Sequence, residues 1–379
     1  MIKELKEFTI CAAVALACGS ALLCAQTPAA AKPEPDVLIF TDGEKLIGQL
    51  KSAKGKSVTF KSDMAGEVTV DWSKIKELHT SRPFAVIGKN AKIVRHGDVS
   101  AVPQGSLAMS DQKIAVQPAS GAPQTVAVPD AAMVVGQPEF NKAVNGNQGF
   151  FNNWGGAVTA GLSLVEATQN ARTFTGGIAL VHTSPAESWL PPSTKTIVDF
   201  TAAYGKVTQP GLPDIKTAIY HADAEEDKYF SSRLFGFGQT AFDHNYSQGL
   251  DLQYMVGGGL GWTASKTATS ELDLKAAASY IHQSFFVSAS NQSLVGSTLG
   301  ETYTRKFAHG VMLNEQISIT PAFNNSSAFF ATGSMTLAFP VHKRLGLSLT
   351  TLDTFLNDPP PGFKKNSFQF SAGLTYALK

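Results

Sequence analysis

His221, Asp223, Glu225 and Asp227 form the richest chemical grouping in the sequence. Their two-residue spacing puts all four side chains on one face of an extended strand. An imidazole beside carboxylates acts as a general base or holds a metal ion, although the same row also reads as a solvated acidic stripe near a turn. Asp243 and His244 are neighbours in sequence, so on a strand they point to opposite faces and do not cooperate directly. The chain has no Gly-x-Ser-x-Gly elbow, no His-Glu-x-x-His pair and no phosphate loop leading into a helix with a lysine. His182, His282, His309 and His342 stand apart near strand ends or turns, and Cys11, Cys18 and Cys24 all precede Gln26. No catalytic residue, metal site or cofactor is therefore expected, and the His221 row is kept as a set of lumen candidates in a protein that is not an enzyme.

The elements that position this row are strands. From Phe150 to Lys379 the chain falls into segments of about ten residues that alternate apolar with small or polar side chains, which is the pattern of a transmembrane antiparallel β-barrel. Twelve such segments begin near Ala157, Thr173, Thr196, Lys216, Arg233, Leu250, Glu271, Gly296, Met312, Phe329, Leu345 and Ser367. The last is the clearest, with Phe368, Phe370, Ala372, Leu374, Tyr376 and Leu378 on one face. Leu272, Leu274, Ala276, Ala278 and Tyr280 likewise oppose Glu271, Asp273, Lys275 and Ser279. A soluble β-sandwich also alternates, but its strands run to about five or six residues. Trp154, Tyr204, Tyr229, Trp262, Tyr280 and Phe339 near strand ends read as an interfacial girdle. Glu315 shares parity with Val311, Leu313, Ile317 and Ile319 and faces outward unless a bulge shifts it. Gly257 to Gly261 reads as a bend or barrel corner. Lys266 to Thr269, Ala308 to Gly310 and His342 to Arg344 are then short turns on the side of the chain's entry, with the longer Gln283 to Leu294 and Asn357 to Lys365 on the other.

Composition agrees. Charged residues make up only 16% of the chain and glycines number 33, which suits strands and turns. With 31 basic and 30 acidic residues there is no basic surface for nucleic acid. Residues 1–25 read as a signal peptide, with Lys3 and Lys6 ahead of an apolar stretch from Phe8 to Ala25; a retained anchor and a lipidated Cys18 are the alternatives. No later segment is long and apolar enough for a membrane-spanning helix. Residues 26–35 are a Pro/Ala linker.

Residues 36–140 read as a small β-module. Short apolar runs alternate with turns at Asp42-Gly43, Gly55 and Ala65-Gly66, and Ile75 and Leu78 close the core. A fainter copy follows, with His96-Gly97 parallel to Asp42-Gly43, Lys113 to Val116 parallel to Ser57 to Phe60, and Thr125 to Val128 parallel to Val68 to Val70. The expectation is a duplicated module of SH3-like small barrels, joined to the large barrel by a linker over 141–149.

Together these stretches resemble the salt-induced outer-membrane protein family, domain of unknown function 481. The likeness rests on Asp36 to Gly48, Ala65 to Trp72 and Ile75 to Leu78 in the first part. In the second it rests on Phe235 to Asp243, Gly249 to Leu252 and Gly257 to Trp262. It implies an outer-membrane location with the module in the periplasm, and no agreed activity. The expected partners are outer-membrane lipid and the barrel-assembly machinery, with residues 36–140 as the surface for a periplasmic partner. Such barrels often end on an aromatic residue that this machinery reads, whereas this chain ends Tyr376-Ala-Leu-Lys379, so recognition either weakens or uses Tyr376. An envelope-structural role or a narrow small-solute pore comes first; a surface hydrolase or a periplasmic-partner binding protein is the alternative.

Overall fold

A computed structural model describes residues 34–146, 149–166, 170–187, 189–208 and 215–378. The expected signal peptide and nearly all of the expected linker lie outside the described residues.

Ten strands make the first unit: β1 (Asp36–Phe40), β2 (Lys45–Lys54), β3 (Ser57–Ser62), β4 (Gly66–Asp71), β5 (Ile75–His79), β6 (Phe84–Gly88), β7 (Gln104–Ser110), β8 (Lys113–Gln117), β9 (Gln124–Ala127) and β10 (Ala131–Gly136). β1 pairs with β2 and β5, and β3 with β2 and β4. The second five strands repeat this pattern, with β6 pairing β7 and β10, and β8 pairing β7 and β9. Each copy also carries a 3₁₀ turn before its last strand, and Trp72 N–H donates to Lys56 O at 3.0 Å just as Val128 N–H donates to Gln112 O at 2.9 Å.

The two copies do not form separate barrels. β5 of the first pairs with β7 of the second, and β10 of the second with β2 of the first, so β1-β5-β7-β6-β10-β2 closes as one ring. The reason is physical: each copy alone leaves two sheet edges unpaired, and exchanging partners satisfies both. One core results, in which Leu38, Phe60 and Ile75 pack with Leu107, Met109 and Val134.

The segment expected as a linker from residue 141 is in part helical. α1 (Gln137–Asn145) starts with Pro138 in its first turn and buries Phe140, Ala143 and Val144, an i, i+3, i+4 stripe. That stripe packs on Leu190 and Trp189 of the large barrel, with the Phe140 and Trp189 rings stacked at 5.4 Å between centroids.

The large barrel comprises β11 (Trp154–Glu166), β12 (Asn170–Ser184), β13 (Thr194–Thr208), β14 (Ile215–Tyr229), β15 (Leu234–Asn245), β16 (Leu250–Lys266), β17 (Ser270–Phe285), β18 (Gln292–Lys306), β19 (Met312–Pro321), β20 (Phe329–His342), β21 (Leu345–Leu356) and β22 (Asn366–Ala377). These twelve strands pair antiparallel in chain order, and β22 returns to β11 to close the cylinder. Strands reach 17 residues in β16, so the expected Gln283 to Leu294 connection shrinks to Phe286–Asn291 as both flanking strands extend. α1 docks at the end where β11 begins, called the near end below.

The faces are inverted relative to a soluble protein. Val256 and Leu260 point outward and are 54% and 58% exposed, whereas Gln253 and Asp273 point inward and are 1% and 2% exposed. Tyr204, Trp262 and Tyr280 lie outward as a girdle requires, but Tyr229 does not: it faces the lumen, 5.0 Å from the Phe235 ring. Glu315 faces outward without a bulge, opposite Tyr303 and Met335 in an unbroken register, three residues from the near-end start of β19.

Because one core spans both copies of the module, Phe60→Ala in the first copy and Met109→Ala in the second are each expected to destabilise the whole module. The costs are about 3–5 and 2–5 kcal/mol respectively, in a single transition by calorimetry. Separate transitions for residues 36–79 and 84–136 would contradict a shared core.

Candidate functional site

Inside the barrel, register brings the charged side chains together. β13 to β15 pair continuously, with Asp199 opposite Asp223, Lys195 opposite Asp227 and His221 opposite Asp243. The four residues of the sequence row all face the lumen. His221 is held between two carboxylates, Nδ1 2.6 Å from Asp243 Oδ1 and Nε2 3.0 Å from Asp223 Oδ1. Asp243 Oδ2 accepts from Gln253 Nε2 at 2.8 Å, Gln253 Oε1 from Gln283 Nε2 at 2.7 Å, and Gln283 Oε1 from Gln292 Nε2 at 2.8 Å. This hydrogen-bonded line crosses four strands toward the far end.

A second cluster lies nearer the module. Lys275 bonds Glu225 across the lumen, and its Nζ lies 5.7 Å from the centroid of the Phe237 ring. Lys195 sits 3.7 Å from Glu271 and 3.6 Å from Asp273, and Lys266 is 2.6 Å from Glu271. Thr263 Oγ1 donates to Asp273 at 2.7 Å. Asp227 is 1% exposed, and neither of its carboxylate oxygens has a hydrogen-bond partner among the described residues. Asp199, Asp223, Glu225, Asp227, Asp243, Glu271 and Asp273 thus outweigh Lys195, Lys266, Lys275 and His221.

The glycine run is not the corner that its composition suggests. β16 keeps an unbroken register from Gln253 to Thr263 against β17. Its glycines instead leave lumen space: a Cβ at Gly261 would stand 2.2 Å from the Phe235 ring, and one at Gly257 2.7 Å from Ser279 Oγ. The room is taken up by the Phe235 and Phe237 rings, both buried.

Of the sequence candidates, His221 and Asp223 meet directly, and Glu225 joins Lys275 rather than the histidine. Asp243 is the residue that sequence reasoning missed. His244 does face the other way, its ring 5.5 Å from Tyr220, but Asp243 itself pairs with His221. The tight Phe230 to Arg233 turn is the signal that would have fixed that register. The cavity beside His221 and Asp243 measures about 10 Å³. That is room for one water and not for a substrate. Among the described residues no group of three or more His, Cys, Asp and Glu side chains is arranged to hold a metal ion. The geometry supplies mutual charge compensation across a narrow lumen.

The family described as "Protein of unknown function, DUF481" matches residues 158–378. No curated protein matches the chain. Among solved structures, the β domain of the Bordetella autotransporter BrkA aligns at 11% identity and a TM-score of 0.31, over 60% of this chain and 98% of that one. The translocator domain of the autotransporter NalP from Neisseria meningitidis aligns at 7% identity and a TM-score of 0.31, over 59% and 86%.

Removing one partner of a buried pair leaves the other charge uncompensated. Lys275→Met is expected to destabilise the folded barrel by about 3–5 kcal/mol, read as a lower temperature for loss of the fast-migrating folded band on unboiled gels. Adding Glu225→Gln to Lys275→Met should restore part of that loss.

Proposed function

We propose, because the chain belongs to the DUF481 family of proteins of unknown function, that it is an outer-membrane β-barrel with a packed lumen and no enzymatic activity, serving the envelope structurally. The observation that carries this reading is the inversion of faces around the cylinder. Apolar side chains as exposed as Leu260 are costly in water and stable in hydrocarbon, and a closed barrel leaves few backbone groups unpaired there. The outward stretch from Tyr254 to Trp262 spans roughly 20 Å at a tilt of about 40°, close to a bilayer's apolar belt. Near-end turns such as Thr267–Thr269 are short, as periplasmic turns are, which supports a periplasmic location for the module. There its β3-β4 and β8-β9 hairpins flank the ring and offer edges to a periplasmic partner.

The packed lumen favours this role over that of a pore. Phe235, Phe237, Lys275 and Glu225 occupy the near half, and Leu250, Phe285, Phe330 and Leu356 fill the far half. The purified chain is expected to migrate faster unboiled than boiled and to remain silent in a planar bilayer. Stepwise conductance would replace the structural role with conduction. A narrow cation path is the second reading, favoured by the surplus of lumen carboxylates; it predicts small cation-selective currents that Asp227→Asn reduces.

A further inference from the structure

The outward face of the large barrel carries a hydrogen-bonded group that the lumen does not use. His282 and Ser284 are two residues apart on β17 and share its outward face with Tyr280, while Ser293 stands in register with His282 on β18. Ser284 Oγ lies 3.4 Å from His282 Nε2, and His282 Nδ1 lies 2.9 Å from Ser293 Oγ, which also accepts from the Tyr280 hydroxyl at 3.2 Å. With the Nδ1 proton donated to Ser293, the Nε2 lone pair is left for the Ser284 hydroxyl. A serine bonded to an imidazole that a third group orients is the arrangement of an activated nucleophile, and such bonds stay loose until a reacting partner is bound. The strand beneath is held firmly. Gln283, between the two residues, is 0% exposed and bonds Gln253 and Gln292 on the flanking strands.

Depth on the barrel selects the substrate class. His282 is in register with Tyr254, whose ring lies 5.2 Å away and which begins the apolar belt of β16. Ser284 stands one step farther out, beside Leu252, at the boundary of hydrocarbon and headgroups where the acyl esters of a lipid lie. Val256 and Val295 flank Tyr280, are 54% and 48% exposed, and give an acyl chain an apolar track toward the belt.

The surroundings do not favour turnover. The backbone N–H that follows the nucleophile, on Phe285, donates to Asn291 Oδ1 at 2.8 Å and is not free to stabilise an oxyanion. Ser293, which orients His282, is a neutral hydroxyl rather than a carboxylate, and water is scarce beside the lipid.

We propose that Ser284 is a self-acylation site, which takes one fatty acyl group from a membrane-lipid ester and keeps it. The site rests on the membrane reading above. Ser284 Oγ attacks the acyl carbonyl and its proton passes to His282 Nε2. The bond from the acyl carbon to the lipid oxygen breaks, and the proton moves to that oxygen, which leaves as the alcohol of a lysolipid. The product is a barrel carrying one ester-linked acyl chain, a single event per chain that suits a structural protein.

The test uses the full chain, refolded in detergent without lipid and shown to be folded by its heat-modifiable migration. Phosphatidylethanolamine and lipopolysaccharide are offered in separate mixed micelles, which tells the two sources of acyl ester apart, and intact mass is followed with time. One acyl group per chain should appear from one donor or both, located to Ser284 by fragmentation, with one equivalent of lysolipid released. Ser284→Ala should abolish the adduct, and His282→Gln should slow it at least ~100-fold. Ser293→Ala should slow it about tenfold and Ser293→Thr should restore the rate, since Ser293 is a positioning residue. A fluorophosphonate probe should label Ser284 and block later acylation. A folded chain without the adduct, or an adduct that survives in Ser284→Ala, would overturn the acylation and leave the structural reading standing. Lysolipid released steadily beyond one equivalent would overturn both, since the chain would then be an enzyme.

Discussion

Each strand of the large barrel carries two incompatible surfaces one residue apart, and everything else follows from keeping them apart. The side-chain period of a strand is two, so a slip by one position would turn His221, Asp223, Glu225 and Asp227 outward and bring Tyr220 and Ala222 inward. Register is therefore fixed by an energy difference summed over many side chains. That rigid register is what brings Asp243 to His221 and Lys275 to Glu225 with few gaps between them.

Much of this was legible from the residues. All twelve large-barrel strands begin within four residues of where alternation places them, because long half-apolar segments signal their faces directly. The lumen-facing row was legible for the same reason. What escaped was pairing between strands: the Asp243 partner depends on a turn of four residues, and the reach of Lys275 depends on glycines of the neighbouring strand, Gly261 standing directly opposite it. Composition misled there, since glycines in a strand signal a bend when read alone and signal clearance only when Phe235 is seen above them. Tyr229 misled similarly, as a strand-end aromatic fits a girdle until its parity is counted from the paired neighbour.

In the module, the copies were legible as repeated turn and strand signals, but their exchange of strands was not. Two separate small barrels and one shared ring contain the same local elements. They differ only in which edge of β2 and β7 is covered. Edge satisfaction is a property of the assembled sheet, so no window of the sequence carries it.

That exchange has a kinetic cost. β2 finds its outer neighbour in β10, some eighty residues later, so the ring has high contact order and the last strand is also the one that completes it. A chain threaded from its N-terminus exposes the β2 edge until Val134 arrives. During that interval the nascent chain is adhesive, and a holding chaperone has its natural target there.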